Sequence, residues 1–266
     1  MPATGAGRTE RPARPPSLLL MLAEGRAIHE FGASIALSPV LMTAPRGDGH
    51  PVLVLPGFMA SDVSTRATRL YLRALGYNAL GWELGRNIAG FYRLRQVLRA
   101  RLARLHNEAG RKVSLVGWSL GGVFARDLAL SQPRAVRSVI TLGSPFAGDI
   151  HATNARRLYE QVTGQRPSDA RPDDIRAIAG DLGLPTTSIY SRADGIVHWR
   201  TSLAHENDHT ENVEILLASH VGLGVNAAAL WVIADRLAQP EGAFAPFANK
   251  GPFPFAYGRR RTFSRD

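Results

Sequence analysis

The chain of 266 residues contains no cysteine. Disulfides, a thiolate nucleophile and cysteine-ligated metal sites are therefore excluded, while the redox compartment stays open. Lysine is nearly missing as well. Lys112 and Lys250 are the two lysines, so the net charge of +10 is carried by arginine. Such a surface attracts anions such as phosphates, acidic lipids or nucleic acid; arginine-biased codon usage accounts for it equally well. Long apolar runs are absent. No stretch approaches the ~20 apolar residues of a membrane-spanning helix. The longest early run, Leu18 to Ala23, is followed at once by Glu24 and Arg26, which is too short and too charged for a signal peptide. There is no internal repeat, no phosphate-loop Gly-Lys-Ser/Thr and no nucleic-acid readout motif, so specific nucleic-acid binding is not expected.

Hydrophobic residues make up 45% of the chain, enough for a packed core. At this length one domain hides roughly three quarters of its unfolded surface. Residues 1–16, rich in Pro, Gly and Arg, read as a disordered basic N-terminus. Residues 17–242 read as the domain, with an insert over 149–184. Residues 243–266 form a tail that interleaves Phe244, Phe247, Phe253, Phe255, Tyr257 and Phe263 with prolines, then ends in arginines. The tail is expected to clamp onto the body, a membrane or partner contact being the alternative. Ser17 is placed to cap a helix to about Phe31, which either packs on the body or lies on a membrane surface.

From Pro51 the pattern alternates. Strands are expected at Pro51 to Leu55, Gly76 to Trp82, Lys112 to Gly117, Val136 to Leu142, Thr186 to Tyr190 and Asn212 to Leu217. Helices are expected at Asp62 to Leu75, Phe91 to Asn107, Leu120 to Leu130 and Ala227 to Leu237. Continuous apolar strands such as PVLVL suit a buried parallel sheet. The expectation is α/β: a mostly parallel sheet of about six strands, flanked by helices.

Gly117-Trp118-Ser119-Leu120-Gly121 fits G-x-S-x-G. It lies between an expected strand and an expected helix, the strand–turn–helix context that the motif requires. Ser119 is the candidate nucleophile. A tetrahedral oxyanion on its substrate needs two N–H donors: Leu120, next after the nucleophile, and Phe58, after the bend at Pro56-Gly57, with Met59 second. Of eight histidines, His220 follows the last strand and is the candidate base, ahead of His198, His205 and His209. Asp194, after the strand ending at Tyr190, is the candidate acid, and Asp149 is its competitor. Gly222-Leu-Gly224-Val-Asn-Ala227 imitates a dinucleotide loop, but no further strand follows its helix.

Five segments, Pro56-Gly57-Phe58, Gly117 to Gly122, Thr141 to Pro145, Tyr190 to Val197 and Ser219-His220, occur in an order that resembles the bacterial lipase/esterase branch of the α/β-hydrolases. The resemblance covers about residues 50–238. It implies the α/β-hydrolase fold, a triad of Ser119, Asp194 and His220, and a hole formed by Phe58 and Leu120. Two departures stand out: Pro56 where the branch has a loop-bracing His, and Phe146 where lipases often show His. The implied activity is hydrolysis of small-molecule or lipid carboxylic esters through an acyl-enzyme on Ser119, with no metal or organic cofactor. The alternatives are an acyltransferase with the same triad, and a non-catalytic lipid- or membrane-binding protein on the same scaffold. A cytoplasmic location with peripheral contact to an anionic membrane surface is the accompanying expectation. Oligomeric state is left open.

Overall fold

The structure, a computed structural model, describes residues 14–148, 152–166, 169–249 and 251–259. Six strands form one sheet: β1 Pro51–Leu55, β2 Asn78–Leu80, β3 Val113–Trp118, β4 Val136–Leu142, β5 Thr186–Tyr190 and β6 Thr210–Glu214. Their spatial order is β2-β1-β3-β4-β5-β6, and every pairing is parallel. The helices are α1 Leu18–Leu22, α2 Ala27–Ala36, α3 Ser38–Leu41, α4 Arg66–Ala74, α5 Phe91–Ala109, α6 Leu120–Ser131, α7 Arg156–Thr163, α8 Pro172–Ala179 and α9 Ala227–Leu237.

The alternation of side chains along β1 explains the layers. Val52 and Val54 point to a core closed by α3, α4 and α9. Leu53 and Leu55 point to the opposite core, closed by α5 and α6. With both faces covered, all five residues of β1 are buried. On α5 the stripe Leu94, Leu98, Leu102 and Leu105 faces that second core.

Strand order also places the site. From β1 the chain moves outward to β2, then returns to β3 on the other side of β1. The loops after β1 and β3 therefore diverge, leaving a crevice at the carboxyl edge of the sheet. Gly57 and Phe58 follow β1, and Ser119 follows β3.

Four elements differ from expectation. The strand expected at Gly76 to Trp82 is confined to Asn78–Leu80. The helix expected from Asp62 begins at Arg66, because the Asp62 carboxylate is committed elsewhere. It accepts the N–H groups of Trp82 and Glu83, each at 2.9 Å. The last strand lies at Thr210–Glu214 rather than Asn212 to Leu217, and Leu217 is exposed. The N-terminal helix is broken at Ala23–Arg26 by a 3-10 turn and resumes to Ala36. In the tail, Phe247 and Tyr257 are buried against each other, centroids 4.9 Å apart, whereas Phe255 is 93% exposed. Residues 1–13, Phe263 and the arginines at 260 and 261 lie outside the described residues. No helix among the described residues is long and apolar enough to cross a membrane.

Candidate active site

Ser119 stands between β3 and α6 with φ 54° and ψ −124°, a left-handed conformation that a non-glycine residue adopts at a cost of about 1–3 kcal/mol. The glycines around it answer to space. A Cβ on Gly117 would run into the backbone of Gly121 and Gly122. One on Gly121 would overlap the Leu55 carbonyl, and one on Gly122 the Ser144 hydroxyl. The turn is fixed to the sheet by Ser119 N–H, which donates to Leu142 O at 2.8 Å. Leu120, the next residue, opens α6, so its N–H is one of the donors that a helix N-terminus leaves without an intrahelical partner.

His220 and Asp194 come together at the same edge. His220 Nδ1 lies 2.6 Å from Asp194 Oδ2, with both side chains buried. The other carboxylate oxygen accepts Ile196 N–H at 2.8 Å and Val197 N–H at 2.7 Å, so the Asp-Gly turn holds its own acid. Gly143, one residue beyond the carbonyl that anchors Ser119, packs against this pair. A Cβ there would stand 3.0 Å from Asp194 Oδ2 and 3.1 Å from His220 Nδ1. Trp118, immediately before Ser119, donates its indole N–H to His220 O at 3.0 Å. Burial disfavours the imidazolium, but the Asp194 charge, its hydrogen bond and the charge of Glu24 outweigh burial. The His220 pKa therefore lies above the ordinary 6.5. Neither the Ser119 hydroxyl nor His220 Nε2 has a hydrogen-bond partner among the described residues, and Nδ1 is already committed to Asp194.

None of the other candidate histidines is hydrogen-bonded to the Asp194–His220 pair, although His198 feels the Asp194 charge and His205 is exposed. His198 accepts Arg200 N–H at the start of the 3-10 turn Trp199–Ser202. His209 pairs with Asp181 at 2.9 Å. Asp149 lies outside the described residues.

The loop after β1 reaches Ser119. A Cβ on Gly57 would come within 3.1 Å of Ser119 Cβ and 3.7 Å of Oγ. Met59, the second choice of donor on this loop, is committed: its N–H donates to Asn87 O at 2.9 Å. Phe58 N–H has no acceptor among the described residues. Asn87 also donates from its side chain to Pro56 O at 3.0 Å and from its backbone to Ala60 O at 2.9 Å. This buried asparagine therefore braces the loop that carries Pro56 in place of a histidine. With Phe58 N–H as the expected oxyanion donor, Asn87→Ala should reduce kcat by about tenfold or more with KM little changed, because full loss of such a donor costs about 3 kcal/mol. Steady-state kinetics on a chromogenic ester measure this, and a loss confined to KM would contradict a role in shaping the loop.

A second group of residues gives no signal in the sequence. Glu24 is buried beneath the acid and base loops. Its Oε1 accepts Gly195 N–H at 2.8 Å and His220 N–H at 2.9 Å, and its Oε2 accepts Val221 N–H at 2.9 Å. Glu30 accepts Ser219 N–H and the Asn226 amide, each at 2.8 Å. Arg26 donates to the carbonyls of Leu217, Ala193 and Ala218. Three charged side chains of the N-terminal arm thus tie the two loops together.

Over the crevice, α7 and α8 help to enclose a pocket. It is lined by Ser119 and by largely apolar side chains, among them Phe58, Phe91, Val123, Phe146, Tyr159 and Ile178. Phe146, the second departure, is buried beneath the Arg126 guanidinium, which sits 4.1 Å from its centroid. Burial pushes Arg126 down to about 10. Of the arginines in the 149–184 insert, Arg156 lines the pocket and pairs with Glu160 at 2.8 Å.

No protein-family model matches the chain. Two pimeloyl-[acyl-carrier protein] methyl ester esterases are similar to parts of it. That of Aeromonas salmonicida is 34% identical over 26% of this chain and 35% of its own. That of Yersinia pseudotuberculosis is 26% identical over 35% of this chain and 56% of its own. The match thus spans from about a third to just over half of the length of these relatives. Among solved structures, Aspergillus fumigatus lipase B superposes with a TM-score of 0.56 at 17% identity, covering 75% of this chain and 55% of that one. The parallel six-stranded sheet, the strained serine turn and these likenesses together show that the chain has the α/β-hydrolase fold.

Proposed function

We propose that the chain hydrolyses carboxylic esters with an apolar acyl or alcohol group, by way of an acyl-enzyme on Ser119. The observation that carries this reading is the shared edge: a strained serine facing an apolar pocket, beside a buried Asp–His pair. The ester enters the pocket with its carbonyl near Ser119. His220 Nε2 takes the hydroxyl proton as Oγ attacks the carbonyl carbon. The Ser–His hydrogen bond forms in the substrate complex, as is common where the free enzyme leaves it open. The developing oxyanion is met by the N–H groups of Phe58 and Leu120. Collapse expels the alcohol, which takes the proton from His220. Water, deprotonated by the same nitrogen, then attacks the acyl carbon, and the acid leaves as Ser119 recovers its proton. Asp194 holds the Nδ1–H tautomer throughout.

The relatives are named for a methyl ester of a pimeloyl chain. That supports ester cleavage at an acyl chain for this protein, with the apolar lining setting the preference. A fluorophosphonate probe tests the reading without a guessed substrate. The expected result is one covalent adduct, mapped by mass spectrometry to the peptide containing Ser119. An unlabelled protein, or an adduct on another residue, rejects it.

The pH profile follows from the imidazole. His220 must be neutral to accept a proton, and its pKa is raised, so kcat/KM falls as pH drops through a value above 6.5. The charges around it are Asp194 and Glu24, with Glu30 and Arg26 reaching the same loop through backbone groups. Glu24→Gln removes one of the anions that favour the imidazolium, so the acid limb moves to lower pH. It also sets an amide N–H against backbone donors that a carboxylate accepts, and kcat falls on the order of tenfold. An acid limb that does not move would show that Glu24 acts on the loops by packing alone.

A further inference from the structure

The N-terminal arm is amphipathic, but it is turned inside out. Along its inner side Leu20, Glu24, Ala27, Glu30, Ser34, Leu37 and Leu41 recur every three or four residues, and each is buried or half-buried. Glu24, Glu30 and Ser34 spend that burial on hydrogen bonds, Ser34 donating its hydroxyl to Val225 O. Apolar side chains are left on the outside: Leu18, Leu19, Leu22, Ile28, Phe31 and Ile35 are all exposed, Leu19 to 79% and Ile28 to 77%. A helix lying on its own domain normally buries the apolar stripe and shows the polar one.

The exposed surface extends beyond the arm. Arg26 Nε donates to Leu217 O at 3.1 Å, which brings Leu217, 80% exposed, beside the 3-10 turn. Glu24 holds Val221 N–H, and the Val221 side chain is exposed too. Leu216 N–H donates to Ala256 O at 2.8 Å, so Phe255 stands next to the same loop. Single exposed leucines are ordinary. Exposed apolar side chains gathered on neighbouring segments in this way mark a contact site.

We propose that this surface docks on an anionic phospholipid bilayer. Two observations point to lipid. First, the outer side of the arm from Leu18 to Ala36 carries no acidic side chain, since its two glutamates are turned inward. Second, the sixteen residues before Ser17 hold Arg8, Arg11 and Arg14 against one acid, Glu10, in a chain of net charge +10. An apolar helix face preceded by arginines is the chemistry of an interfacial segment on acidic headgroups. A second copy of the chain would instead bring an equal positive charge to the contact.

The geometry also connects the surface to the pocket. The Asn154 side chain donates to Pro16 O at 3.1 Å, where the arm begins, and to Gly195 O at 2.8 Å, next to Asp194. Thr153 and Ala155, on either side of Asn154, line the pocket. The docked arm therefore sets the pocket rim at the bilayer, where apolar esters concentrate.

The test is flotation of the full chain with vesicles of phosphatidylcholine and phosphatidylglycerol at 7:3, compared with phosphatidylcholine alone. The expected result is recovery with the acidic vesicles, weakened by roughly tenfold when salt is raised from 0.05 to 0.5 M. The double variant Leu22→Gln, Ile28→Gln should lose binding by about a hundredfold, since two large apolar side chains leave the lipid. Both side chains are exposed, so its thermal midpoint and its rate on a water-soluble short-chain ester should stay at the parent values. Failure of the parent to float, or equal flotation of the variant, overturns the proposal. So does light scattering that finds a dimer which the variant dissociates, because the face would then be covered by a second copy.

Discussion

Ser119→Ala should reduce kcat/KM on a p-nitrophenyl ester by about 10⁴-fold or more, leaving only the residual rate that oxyanion donors and binding sustain without a nucleophile. The geometry makes the variant easy to interpret. Alanine at φ 54° bears the same backbone strain as serine, and the backbone bonds Ser119 N–H to Leu142 O and Gly122 N–H to Ser119 O remain. The thermal midpoint should therefore stay where it is, and the loss is chemical. Ser119→Gly provides an internal comparison. It relieves the left-handed strain, so it should be more stable by about 1 kcal/mol and equally inactive. Ester turnover that survives in both variants would remove Ser119 from the reaction.

Legibility in the sequence tracks how local the physics is. PVLVL reads as a buried strand because both faces of β1 are covered, and that leaves an unbroken apolar run. The serine turn is legible because the space available excludes side chains at Gly117 and Gly121, and glycine is the one residue without one. The displaced β6 shows the opposite case. Thr210 and Glu211 look like loop residues, yet Glu211 is buried and satisfied by the Thr187 hydroxyl at 3.0 Å, Arg236 at 3.0 Å and Phe247 N–H at 2.7 Å. Polar partners supplied from three other elements hide a strand from any pattern based on hydrophobicity. Asn87, Glu24 and Glu30 are hidden for the same reason: what they bond is largely distant backbone, and no residue type reports which distant N–H lacks an acceptor. The N-terminal arm inverts the usual inference altogether. Its apolar periodicity correctly predicts an amphipathic helix, but which side faces the domain is decided by the unpaired N–H groups of the acid and base loops, and those draw the glutamates inward.

Asp194→Asn should be nearly as damaging as loss of the nucleophile, about 10³- to 10⁴-fold in kcat, and for a reason that the two carboxylate oxygens make specific. Oδ1 accepts the N–H groups of Ile196 and Val197. An asparagine keeps those bonds only by placing its carbonyl oxygen there, so its NH₂ must face His220 Nδ1, where a carboxylate now accepts at 2.6 Å. The imidazole then adopts the tautomer with Nδ1 as acceptor and the proton on Nε2. A nitrogen that already carries a proton cannot take one from Ser119. The turn and its backbone bonds are retained, so the thermal midpoint should move little while kcat collapses. Loss of the adjoining anion also lowers the His220 pKa, which carries the acid limb of whatever activity remains to lower pH. The contrast with Glu24→Gln separates the two anions near this ring: one sets which nitrogen holds the proton, and the other how readily the ring is charged and how its loop is held. Comparable tenfold losses in both variants would mean that Asp194 contributes charge rather than tautomer control, and the assignment of Nε2 as the base would fail with it.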